Sequence, residues 1–176
     1  MGLDKSALQA SFDSLFTMPT TNETSYTATY MAQQWADSYE SYAATAADAL
    51  GNSVSGMQKT AMQTRFQEAF EQYGSTVTTQ QATSITIGKL TDGVNAYWTG
   101  VILEVSNLPP GGIVPITNVV NSTPNDISFE MGNTNNRSIG AERLAKALDD
   151  KTKAVTTLFS YIDGGGNPGT YNSTLC

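Results

Sequence analysis

Thr156-Thr157-Leu158-Phe159-Ser160-Tyr161-Ile162 runs without interruption into Asp163-Gly164-Gly165-Gly166-Asn167-Pro168-Gly169. The first seven residues are mostly β-branched or aromatic, the types that suit a pleated strand. Three consecutive glycines lose much backbone freedom when ordered, so a short strand followed by a flexible arm, 160–176, is expected. Gly164, Gly165 and Gly166 are the expected hinge of that arm, and Phe159, Tyr161 and Tyr171 its expected contacts. The run is no phosphate loop, because the spacing and the closing Lys-Ser/Thr pair are missing.

Upstream, Leu144, Leu148, Lys151 and Val155 recur at helical spacing behind Ser138, a good cap, and Glu142 sits near the favourable end of the helix dipole. This predicts a helix over about 139–155, within a carboxy-terminal helical segment 138–159. Before it, Leu108-Pro109-Pro110-Gly111-Gly112 should stop any regular helix. Residues 108–137 therefore read as an insertion, in which Ile113 to Val120 suits a short strand or an extended loop equally well.

The remaining body, 25–107, reads as helical, preceded by an amino-terminal helix or arm, 1–24. Leu8, Phe12, Leu15 and Phe16 predict a first helix over Asp4 to Phe16. Met31, Trp35, Tyr42, Ala46 and Ala49 or Leu50 predict a second, from Ser25 or Tyr26 to Leu50, with Gly51 as its stop. Met62, Phe66, Phe70 and Tyr73 predict a third over Met57 to Tyr73. A fourth should run from Thr78 to Leu103, because Ile87, Leu90, Val94, Trp98, Val101 and Val105 follow one face; Gly88, Gly93 and Gly100 inside it mark bends or close packing. Trp35, Tyr39, Tyr97 and Trp98 are the large candidates for packing or for an interface. The fold class expected from these patterns is mainly α: a four- or five-helix bundle with an extended loop or short β insertion and a flexible carboxy-terminal arm.

Composition narrows the chemistry. The 176 residues carry 9 basic and 16 acidic side chains, for a formal charge of −7, which disfavours electrostatic binding of nucleic acid. There is no histidine, and Cys176 is the only cysteine, so histidine-based triads, thiolate zinc sites, iron–sulfur clusters and intrachain disulfides are excluded. Glu68 and Glu71 share an exposed face, Asp92 and Glu104 are twelve positions apart, and Asp149-Asp150 lacks the spacing of a calcium loop. No catalytic residue, cofactor or metal site is expected. With neither an apolar leader nor a long apolar run, the chain is expected to be soluble, with no membrane partner.

Four strings give the chain a further likeness: Trp35-Ala36-Asp37-Ser38-Tyr39 before an Ala-rich stretch, Phe66-Gln67-Glu68-Ala69-Phe70, Tyr97-Trp98-Thr99-Gly100, and Leu144-Ala145-Lys146-Ala147-Leu148 before the Thr-rich tail. With these it resembles small structural proteins of tailed bacteriophages, of the head-to-tail joining class. The resemblance implies a non-enzymatic virion protein acting as head-to-tail adaptor or neck component. Its implied partners are further copies of itself and portal or tail proteins, with the genome nearby but not specifically bound. The location implied is the virion, reached through the host cytoplasm during assembly. A tail, baseplate or accessory capsid role, a helical regulatory protein, and an enzyme with a composite acidic site are the alternatives.

Overall fold

In the computed structural model, residues 2–17, 27–73, 79–121 and 137–176 are described. Helices α1 (Lys5–Thr17) and α2 (Ala28–Ala43) lead to a short strand β1 (Ser53–Ser55), followed by helices α3 (Lys59–Tyr73) and α4 (Thr79–Tyr97). Strands β2 (Ile102–Glu104) and β3 (Gly112–Asn121), helix α5 (Arg137–Lys153), and strands β4 (Thr156–Asp163) and β5 (Pro168–Thr174) complete the chain.

The fold is mixed α/β, which corrects the mainly α bundle expected from the sequence: the described residues form five helices and five strands, the strands lying in two antiparallel sheets. One sheet pairs β1 with β2, and the other has the order β3-β4-β5. The segment expected to be a flexible arm folds back on the strand before it, with seven register pairs from Thr156↔Thr174 to Ile162↔Pro168. The reason is local. The Asp163 carboxylate accepts the Gly165 and Asn167 backbone N–H groups, each at 2.8 Å, and Gly166 takes the left-handed φ of 82°. An Asx turn that closes a hairpin in this way needs the permissive backbone glycine supplies. Gly164, Gly165 and Gly166 thus lie in the turn between β4 and β5. The chain end is tied down as well, through reciprocal bonds between Cys176 and Ala47 and a buried Leu175.

Two helices are shorter than their periodicity predicts. α2 ends at Ala43 instead of Leu50 because Asp48 organises the next residues into a turn: its carboxylate accepts from Leu50 N, Asn52 N and Asn52 Nδ2, each at 2.9 Å. α4 ends at Tyr97 because Gly100, with φ of 73°, turns the chain into β2, so Val101 is buried from a connecting residue and Leu103 from a strand. The open choice for Ile113 to Val120 is resolved as strand β3, and Ser138 lies inside the first turn of α5 instead of ahead of it.

α1 is capped by Asp4, whose carboxylate accepts from Ser6 N and Ala7 N, and α2 by Thr27, whose hydroxyl accepts from Tyr30 N. α1 packs on α2 and α5, and α3 packs on α2 and α4. Gly93 makes the last contact possible, since a Cβ there would fall 2.6 Å from the Phe66 ring. One core runs through the molecule, from Leu8, Phe12 and Trp35 through Tyr39 and Trp98 to Leu148, Phe159 and Leu175. The hairpin is therefore seated on the helices by its inner face, while Ile113, Val114 and Leu158 remain exposed on the three-stranded sheet.

Candidate functional site

Of the aromatic residues singled out from the sequence, Trp35, Tyr39, Tyr97, Trp98 and Phe159 all lie inside. Trp35 meets Phe70 edge-on at 5.0 Å and Phe12 at 5.2 Å, an arrangement that suits the ring quadrupoles. Tyr97 stands edge-on between Tyr39 and Trp98, at 5.1 Å from each. Tyr161 and Tyr171 are half-buried beside Phe159, Tyr161 along the same strand at 6.3 Å and Tyr171 across the hairpin at 5.4 Å. The Tyr161 ring lies over Gly169, where a Cβ would fall 2.5 Å from it, and passes close to Gly112 on the opposite strand. Large side chains that cover a strand glycine replace the packing that residue lacks.

The hydroxyls of the helical interior form a directed chain. Trp98 Nε1 donates to Tyr39 Oη at 2.9 Å, and Thr152 Oγ1 donates to the Leu148 carbonyl at 2.8 Å. Tyr39 Oη and Thr152 Oγ1 are 2.7 Å apart, and since the threonine proton is engaged with Leu148, Tyr39 is the donor. One helical turn away, Tyr42 Oη donates to Asp149 Oδ1 at 2.6 Å, while Lys153 Nζ reaches Asp149 Oδ2 at 2.9 Å. Burial pushes the Tyr39 hydroxyl well above its ordinary pKa. Tyr42 is pushed up first by burial and then by the Asp149 carboxylate; Tyr97 first by burial and then by the charge of Glu40. Tyr97 Oη and Glu40 Oε2 are buried and have no hydrogen-bond partner among the described residues.

A second polar knot was not legible as such in the sequence. Asn52, fully buried, accepts Ser106 N and Asn107 N on its Oδ1 at 2.9 and 2.6 Å and donates to the Asn107 carbonyl from Nδ2 at 3.0 Å. With Asp48 it ties the loop after α2 to the segment that follows β2. The signal was present in Asp48-Ala49-Leu50-Gly51-Asn52, an Asx–Gly turn pattern, but the alanine-rich run before it favoured a longer helix.

Of these groups, Tyr42 also lines a groove at the surface. This shallow groove of about 290 Å³ lies between α1 and α2, lined by Asp4, Ser11, Ser38, Ser41 and Thr45 among others. Its one carboxylate is occupied in capping α1. Among the described residues no three His, Cys, Asp or Glu side chains converge, and no helix is long and apolar enough to cross a membrane. Some surface charges form pairs: Glu68, between Lys89 at 2.7 Å and Arg65 at 3.0 Å, is held below the usual carboxylate range by these two cations, Lys89 first. No protein-family model, no curated protein and no solved structure matches the chain.

Proposed function

We propose that the protein is a non-enzymatic structural subunit of a tailed-phage virion, working by docking at the joint between head and tail. Its partners on this reading are copies of itself and portal or tail proteins, with the virion as its location. The observation that carries the docking part is the division of polar groups. Tyr39, Tyr42, Trp98, Thr152, Asp149, Asp48 and Asn52 bind one another inside the fold. The three-stranded sheet meanwhile offers Ile113, Val114 and Leu158 at the surface, 62%, 52% and 39% exposed. A rigid interior beside an apolar, accessible sheet suits a part that binds by shape. The phage context is supported by the resemblance of the four sequence strings and by nothing else.

Mass spectrometry of purified particles from the source culture, followed by a density map, tests the reading. The expected result is the chain in several symmetric copies at the head-to-tail joint. Particles that lack it altogether would sink the proposal.

A further inference from the structure

The two outer strands of the three-stranded sheet end in different ways. Along β3 the register with β4 shifts twice, between Gly112 and Val114 and between Pro115 and Thr117. Irregularity and proline are the usual means by which an edge is kept from pairing with another chain. β5 has no such protection along its length: its pairing with β4 is regular, its only proline is its first residue, and Pro168-Gly169-Thr170-Tyr171-Asn172-Ser173-Thr174 carries no charged side chain.

The register also shows which backbone groups face outward. Leu175 N bonds Val155 O, and Asp163 N bonds Asn167 O, so the odd-numbered residues of β5 direct their N–H and C=O groups toward β4. Thr170 and Asn172 therefore direct theirs to the free edge, as does the Pro168 carbonyl. Beyond Ser173 that edge is taken by the segment following α2: Ala47 exchanges both backbone bonds with Cys176, and Ala49 N donates to Ser173 Oγ. Among the described residues, what remains open is Pro168 to Asn172, a stretch centred on Thr170.

We infer that this edge pairs antiparallel with the β5 edge of a second copy, with Thr170 on the two-fold axis, joining two three-stranded sheets into one of six strands. In that register each Thr170 N–H donates to the partner's Thr170 carbonyl, and each Asn172 N–H to the partner's Pro168 carbonyl, giving four backbone bonds. Thr170 opposite Thr170 is a favourable cross-strand pair. The open stretch is self-complementary, because under the two-fold its donors at Thr170 and Asn172 meet its own acceptors at Thr170 and Pro168; two chains of net charge −7 repel at a distance, and the paired strands, with no charged side chain, add no like-charge contact to that. The inference deepens the assembly reading, on which it rests, by naming the surface and the partner.

The test uses the full chain in sedimentation velocity over a concentration series, with Thr170→Lys and Thr170→Glu. Position 170 is exposed in the single chain, so both variants should melt as the native chain does. Native protein should dimerise with rising concentration, and its Thr170 and Asn172 amides should gain protection from hydrogen exchange as it does. Each variant alone should dimerise about fivefold more weakly, because like charges oppose on the axis, and a one-to-one mixture of the two should recover the native constant or better. A native chain that stays monomeric into the millimolar range, or a mixture that associates no better than its components, overturns the strand pairing. A dimer that ignores both substitutions overturns it too, while leaving the assembly reading to the particle analysis, whose failure would in turn leave the dimer measurements standing.

Discussion

Tyr39 and Tyr161 are both aromatic residues with a hydroxyl to place, and the two regions that hold them treat it differently. Tyr39 is sealed between helices, fully buried, accepting from Trp98 and donating to Thr152. Tyr161 lies half-buried across Gly169 on a sheet that exposes Ile113, Val114 and Leu158. The helical interior is specified by hydrogen bonds as well as by shape, so it has one arrangement. In the sheet, ring coverage of glycine and one turn carboxylate hold the hairpin, and the outer face is left uncommitted among the described residues. Side chains whose hydrogen bonds close inside the fold are fixed in place, and that makes the helical side a platform for the open one.

Breaking the helical side should be the most damaging change. Trp98→Ala removes the donor to Tyr39 and a ring packed edge-on to Tyr97, and should cost about 4 kcal/mol in chemical denaturation. If the loss is under about 1 kcal/mol, the interior is not organised as described. Asn52→Ala should cost about 2–3 kcal/mol by the same assay, since it strands the Ser106 and Asn107 amides and one oxygen of a buried carboxylate.

Alkali separates the regions without mutation. Tyr39, Tyr42 and Tyr97 have folded pKa values raised by burial, so their contribution to stability is complete below the unfolded tyrosine value and is lost as pH rises above it. Each should cost about 1.4 kcal/mol per pH unit above about pH 10. Tyrosinate absorbance for these three should therefore appear together with loss of helical circular dichroism. Gradual ionisation of all eight tyrosines in a folded chain would contradict the sealed interior.

Acid probes the sheet. The Asp163 carboxylate is held below its usual range by the Asn167 backbone amide first, then the Asn167 side chain and the Gly165 amide. A depressed folded value means that the turn is stabilised above the ordinary aspartate pKa and loosens as pH falls through the lower, folded one. Asp163→Ala should remove that dependence and loosen the turn, read as faster hydrogen exchange in β4 and β5 with little change in the helices. The smallest effect should come from Leu158→Thr on the open face, within about 0.5 kcal/mol of native stability.

Helices were legible where the apolar period of 3.6 was uninterrupted. Leu8 to Phe16 and Met62 to Phe70 set α1 and α3 to within about two residues. The same period misled at Val101 and Val105, since a strand or loop placed beyond a left-handed glycine can fill the slots a continuing helix would have filled. The alanine run after Tyr42 misled likewise, because helix propensity is worth only tenths of a kcal/mol per residue and the Asp48–Asn52 hydrogen bonds outweigh it. For the aromatic residues the sequence marked size and spacing, but not which hydroxyl would find a partner.

What the chain by itself determined is its chemical inventory and its local periodicity: no histidine, one cysteine, an acidic balance, helix-forming stretches and a glycine-rich turn before the carboxy terminus. Only the tertiary structure decided that the turn closes a hairpin, that the hairpin seats Phe159 and Leu175 in the helical core, and that β5 is the outer strand of its sheet among the described residues. The physical reason is range. Caps, turns and periodicity act over a few residues and can be read in order, whereas strand pairing and burial join residues as far apart as Ala47 and Cys176, and depend on which surfaces meet.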